Sequence, residues 1–162
     1  MRFGFSYVGF VYLVMLLVPN LIWAKNRPGD YARYAKNENR ILLFLERIGE
    51  ILVSAIVLAC PDFNLRAWTP WCLWLAASFL LMVLYELYWV RYFGSGKTMR
   101  DQYRRFCGFP VAGATLPVIA FFLLGIYGLN IWLIIAVVIL GIGHIGIHLG
   151  HEKDVNETGS KG

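Results

Sequence analysis

All three histidines of this 162-residue chain fall in one short stretch, "GIGHIGIHLGH", residues 141–151. His144, His148 and His151 stand at i, i+4 and i+7, so a helix puts them on one face. Imidazoles so placed suit two chemistries. His144 and His148 have the spacing of a metal-ligating pair, and a carboxylate from another helix would complete a site for zinc, iron or manganese. At 1.5 Å rise per residue His144 and His151 are about 10 Å apart, so one ion does not take all three. The alternative is proton handling, which imidazole does near neutral pH. A third role needs no chemistry: an imidazolium near a helix C-terminus favours the macrodipole, and His151 fits that description.

The carboxylates are equally selective in their placement. Glu46, Arg47 and Glu50 lie in "LERIGE", and Glu86 lies in "LYELYW". Asn20 follows Pro19 in a third apolar run. Glu46 and Glu50 are i, i+4, and Arg47 and Glu50 are i, i+3, so the three share neighbouring faces. Gly143, Gly146 and Gly150 form a second face beside the histidines, and small residues at such spacing let another helix approach closely.

These residues sit in five apolar runs, at 3–24, 41–60, 68–91, 109–127 and 130–150. Hydrophobic residues make up 59% of the chain and charged residues 15%, which is too apolar and too little charged for an ordinary soluble domain. Each run is near the roughly 20 residues that cross a bilayer as a helix. The expected fold is therefore all-α: a single membrane bundle of five transmembrane helices over residues 1–151, with a short polar tail at 152–162. "FPVAGATLP" is expected to weaken and kink the fourth span.

Lys and Arg concentrate in alternate loops. The first holds Lys25, Arg27, Arg33, Lys36 and Arg40; the third holds Lys97, Arg100, Arg104 and Arg105, with Arg91 at its border. The second loop has only Arg66, and the fourth has none. The positive-inside bias makes loops one and three cytoplasmic, the N-terminus external and the C-terminus, with Lys153, cytoplasmic. That is a multi-pass protein of a bacterial-type cell membrane, with the bilayer as its first partner.

Depth then becomes informative. Glu46 lies about 9 Å from the inner end of its span, Glu86 about 8 Å, His144 about 9 Å and Glu50 about 15 Å. All are in the cytoplasmic half, as is Asn20. Ionisable groups inside spans are costly and mark function by default, so Glu46, Arg47, Glu50, Glu86, Asn20 and the histidines are expected to line one inward-facing cavity.

Other signals exclude function classes. The net charge of +5 lies in topology-setting loops, not on a soluble face, so nucleic acid is not a partner. "GSGKT" at 94–98 lacks the first glycine of a phosphate loop, whose place falls at Arg91, so no nucleotide is expected there. Three cysteines without a CxxC make no disulfide framework. "KNRPGDYARYAKNENR" reads as a solvated inner loop. Three activities fit what remains: a small carrier or proton- or cation-coupled permease, for which a homodimer would supply the helices that five alone lack for a pathway; a metal-dependent membrane enzyme acting on a lipid or isoprenoid; or an accessory subunit that docks on another membrane protein through its glycine face.

Overall fold

Apolar runs and caps together set the elements in the computed structural model, which describes residues 3–36 and 38–159. Helix α1 is Tyr7–Lys25, α2 Tyr31–Ala35, α3 Arg40–Ala59, α4 Cys72–Phe93, α5 Met99–Gln102, α6 Ala112–Gly128 and α7 Ile131–Gly159. Ser6 starts α1 by accepting the Gly9 N–H at 2.9 Å. Asn39 starts α3 by accepting the Ile41 N–H at 2.8 Å. Side-chain oxygens there satisfy donors that a helix start otherwise leaves unpaired.

Two boundaries differ from expectation. The helix expected from residue 68 begins only at Cys72, because the chain first turns at Thr69 and Pro70, with the Cys72 N–H on the Thr69 carbonyl at 2.9 Å. The polar tail expected after residue 151 is helical to Gly159. Its Glu and Lys residues are good helix formers, and Thr158 Oγ1 donates to the Asp154 carbonyl at 2.8 Å. Residues 160–162 of that tail lie outside the described residues.

Among the described residues, three helices are long and apolar enough to cross a membrane: Tyr7–Lys25, Cys72–Phe93 and Ile131–Thr158. Helix α6 is apolar but has 17 residues, with Pro117 inside it. Helix α3 has the length, at 20 residues, but carries Arg40, Glu46, Arg47 and Glu50.

The long helices run antiparallel in sequence. At one end, the Gly4 and Ser6 N–H groups bond the Ala59 and Leu58 carbonyls at 3.0 Å each. At that same end Tyr127 Oη donates to the Asn64 carbonyl at 3.1 Å. At the other end lie the α1–α3 connection, the α4–α6 connection and the end of α7.

Helix α3 packs along α7, α4 along α6, and α6 along α7, whereas α1 touches the others thinly. Backbone contact is closest between α3 and α7. A Cβ on Gly49 would fall 2.5 Å from Leu140 Cα, and one on Gly143 would fall 2.6 Å from the Leu42 carbonyl oxygen. Gly146 meets the Leu42 side chain. Gly150, placed on the same packing face by its spacing, has nothing within 4 Å. Helix α3 begins at Arg40, so its packing on α7 does not reach Gly150. Tyr12 Oη donates to Ser78 Oγ at 3.0 Å, and Ser78 Oγ donates to the Ala120 carbonyl at 2.7 Å, which ties α1, α4 and α6 through a buried polar bridge.

Gly49→Ala and Gly143→Ala each overpack a backbone contact, which typically costs about 1–3 kcal/mol, and both are expected to lower the melting temperature in detergent. Gly150→Ala has room and gains helix propensity of up to about 1 kcal/mol, so its melting temperature is expected to hold or rise.

Candidate functional site

A cavity of about 710 Å³ opens between α1, α3 and α7 at the end of the molecule that carries the basic loops. Its size is that of a small-molecule pocket. The close α3–α7 packing puts Glu46 directly against the histidine face, and His144 Nδ1 lies 2.5 Å from Glu46 Oε1. Both side chains are largely buried, at 25% and 12% exposure. An imidazole N–H donating to a carboxylate at this distance is a short, charge-assisted bond.

The contacts continue along α7. The His144 and His148 rings lie edge to face with centroids 4.6 Å apart. Tyr103 Oη is 2.8 Å from His148 Nδ1 and 3.1 Å from His151 Nδ1. One phenol proton serves two ring nitrogens, so Tyr103 donates to one histidine and accepts an N–H from the other. Burial pushes the Tyr103 phenol up from its ordinary value, which keeps the bridging proton in place. His151 Nε2 is 3.1 Å from Glu38 Oε1, an ion-pair contact without the alignment of a hydrogen bond. Glu46, His144, His148, Tyr103, His151 and Glu38 thus form one continuous row.

Tyr103 reaches α7 because its loop is held from three sides. A capping box fastens α5: Asp101 Oδ2 accepts from the Thr98 N–H at 3.1 Å and the Thr98 hydroxyl at 2.8 Å. The Thr98 N–H is the main reason that the Asp101 carboxyl lies below its ordinary range. Tyr88 Oη donates to the Gln102 carbonyl at 2.8 Å. The Arg91 guanidinium donates to the Arg105 carbonyl at 3.1 Å and lies over the rings of Tyr88 and Phe106.

Of the residues singled out from the sequence, the cavity gathers Asn20, Glu46, Arg47, Glu50, His144 and His148, with His151. Arg47 Nη1 donates to Glu50 Oε2 at 3.0 Å, with side chains 72% and 45% exposed, so this pair stands at the mouth. Asn20 donates to its own helix at the Leu16 carbonyl. Glu86 lies outside the cavity: it sits on the flank of α4, beside the buried face made by Met82, Tyr85 and Trp89, and its Oε1 is buried with no hydrogen-bond partner. Glu86, expected to line the same cavity as Glu46 and His144, does not line it, whereas Glu46 does and reaches His144. Among the described residues no group of three or more His, Cys, Asp or Glu side chains is arranged to hold a metal ion. The histidine Nδ1 atoms point at Glu46 and Tyr103 instead.

Sequence reasoning passed over Tyr103, Glu38, Arg27, Tyr31 and Gln102, which all line the cavity. The loop read as merely solvated supplies three of them. Arg27 lies over both Trp23 and Tyr31, 5.4 Å from each ring centroid. Trp23 Nε1 donates to Gln102 Oε1 at 3.2 Å. The only advance signal was the aromatic content of that basic loop. No family model matches the sequence, and neither a curated protein nor a solved structure matches the chain.

Tyr103→Phe keeps the ring and removes the hydroxyl that joins His148 to His151. Leaving buried polar atoms without a partner costs about 1–3 kcal/mol, so a lower melting temperature is expected with unchanged helix content by circular dichroism. Equal melting temperatures for the variant and the parent would show that the phenol is not the bridge.

Proposed function

We propose that the chain is a five-span membrane protein, with an external N-terminus and a cytoplasmic C-terminus, and that it acts as a small proton-coupled carrier. Helices α3 and α6 are the two spans added to the three long apolar helices. Helix α3 has the length to cross, and Glu46, Arg47 and Glu50 turn to α7 or to the cavity. Both basic loops lie at one end of the molecule with the last turns of α7, as the positive-inside bias requires.

The observation that carries the carrier reading is the row from Glu46 to Glu38 along the wall of the cavity. Each member can exist in two protonation or hydrogen-bond states. His144 takes a proton from Glu46 at one nitrogen and offers the other nitrogen onward. Reorientation of a ring spans the His144–His148 step. Tyr103 passes a proton by reversing which histidine it donates to, and Glu38 ends the row at the loop. A solute in the cavity contacts the same groups, so solute binding and protonation are linked through shared residues.

Cys107 is exposed, in the loop before α6. On intact cells it is expected to resist a membrane-impermeant maleimide, and to react once the membrane is opened; labelling of intact cells contradicts the orientation. In vesicles loaded with a pH dye, the protein is expected to admit protons down an imposed gradient. Glu46→Gln is expected to slow this by about tenfold or more, in line with the loss of a positioned proton-transfer group. Glu86→Gln is expected to leave it unchanged. Equal rates for Glu46→Gln and the parent would exclude the proposed row.

A further inference from the structure

Helices α1 and α3 meet at one end and part at the other. Gly9 of α1 packs on the Val57 backbone of α3, and the Gly4 and Ser6 N–H groups bond to the end of α3. Towards the basic end, α3 stays on α7 through Gly49 and Gly143, while α1 leans away. Tyr85 Oη donates to the Leu16 carbonyl at 3.4 Å, and Trp23 reaches Gln102. The cavity is the slot left between them. Leu16, Leu17 and Ala24 line one side, Leu43 and Ile51 the other. Leu17 and Ile51 are exposed at 51% and 68%, so the slot opens on the side of the bundle.

The polar groups of the slot are unequally satisfied. Each of its carboxylates already has a basic partner: Glu46 has His144, Glu38 has His151 and Glu50 has Arg47. Arg27 has none among the described residues. Its guanidinium is held instead over Trp23 and Tyr31, whose rings pack edge to face at 5.0 Å. Trp23 is fixed in turn by Gln102. An exposed cation held by aromatic rings and without an anion, at the rim of a slot that has leucine and isoleucine on its two sides, is a site for an anionic group, because a guanidinium pairs well with phosphate or carboxylate.

We propose that the slot binds an amphiphile with a single acyl or alkyl chain and an anionic headgroup, the headgroup on Arg27 and the chain between α1 and α3. This names a solute class for the carrier, and its entry from the lipid side rests on the membrane reading above. Residue 27 lies just past the end of α1, where a lipid phosphate stands in that reading. Tyr31 also links the headgroup to the proton row, since its ring packs edge to face on His151 with centroids 6.2 Å apart.

The test is binding of dodecyl phosphate to the full chain in a neutral maltoside detergent, read by native mass spectrometry as the fraction carrying one ligand. Dodecyl phosphate is expected to bind one per chain. Arg27→Gln is expected to weaken it about tenfold, the loss of one charge-assisted contact. Arg27→Lys is expected to recover part of the affinity, and Arg33→Gln, an exposed charge away from the slot, to leave it unchanged. Dodecylphosphocholine, whose phosphate charge is balanced by its own quaternary ammonium, is expected to bind more weakly.

Equal affinity in Arg27→Gln and the parent, with circular dichroism showing both folded, would overturn the headgroup assignment. Equal binding of the phosphocholine would overturn the anionic class. Inorganic phosphate binding as tightly as dodecyl phosphate would assign the site to a soluble anion and overturn the amphiphile. Proton entry in the pH-dye vesicles, measured beside dodecyl phosphate binding, separates this inference from the proposed function. Proton entry in the parent without dodecyl phosphate binding would sink the amphiphile alone. Binding without proton entry would sink the carrier alone.

Discussion

The approach of α3 to α7 is the constraint on which the site depends. Two glycines, one on each helix, let the backbones come together where any side chain would collide: Gly49 against Leu140 and Gly143 against Leu42 and Glu46. Glu46 therefore starts its side chain from beside the histidine face and reaches His144 without crossing open space. If the helices stood a methyl group further apart, the carboxylate would face a void and the imidazole would lose its partner. Position along α3 matters as much, because Leu42 and Glu46 lie opposite Gly143 while Gly49 lies opposite the Leu140 backbone.

Once α3 is seated, the polar groups along the histidine face of the cavity follow a consistent rule. Charged and polar side chains that leave water need partners, and the row along α7 supplies them in sequence. Glu46 serves His144, Tyr103 serves His148 and His151, and Glu38 serves His151. A phenol is well suited to the middle of such a row, since it both donates and accepts and, being buried, keeps its proton. The pair most open to the outside, Arg47 and Glu50, is balanced within itself. Arg27 differs from all of these, since it is balanced by aromatic faces alone, and the functional argument turns on that difference.

Much of this was legible in the sequence, for identifiable reasons. Length and uninterrupted apolar composition mark α1, α4 and α7, and i, i+4, i+7 spacing places the three histidines on one face whatever surrounds them. Glu46 and Glu86 were not distinguishable: both lie at similar depth in apolar runs, and spacing along a helix does not say which neighbour it faces. The angular position of Glu86, on the flank of α4, and the glycine contact of α3 decide in favour of Glu46. Tyr103, Glu38 and Arg27 were harder still. They stand in connections with no periodicity, and their places depend on a capping box, a guanidinium held over two rings and loop carbonyls gathered by Arg91. The glycine face was legible at Gly143 and Gly146 but not its limit, because spacing along α7 does not say how far α3 lies alongside it.

The central claim is that Glu46, the three histidines, Tyr103 and Glu38 behave as one coupled unit. The most direct measurement is the nitrogen-15 spectrum of the three imidazoles in selectively labelled protein, followed across the pH range of histidine titration in the parent and in Glu46→Gln. Coupling predicts that the three rings titrate interdependently, and that removing the Glu46 charge shifts the transitions of His148 and His151 as well as His144. A change confined to His144, with the His148 and His151 transitions left where they stand in the parent, would contradict it.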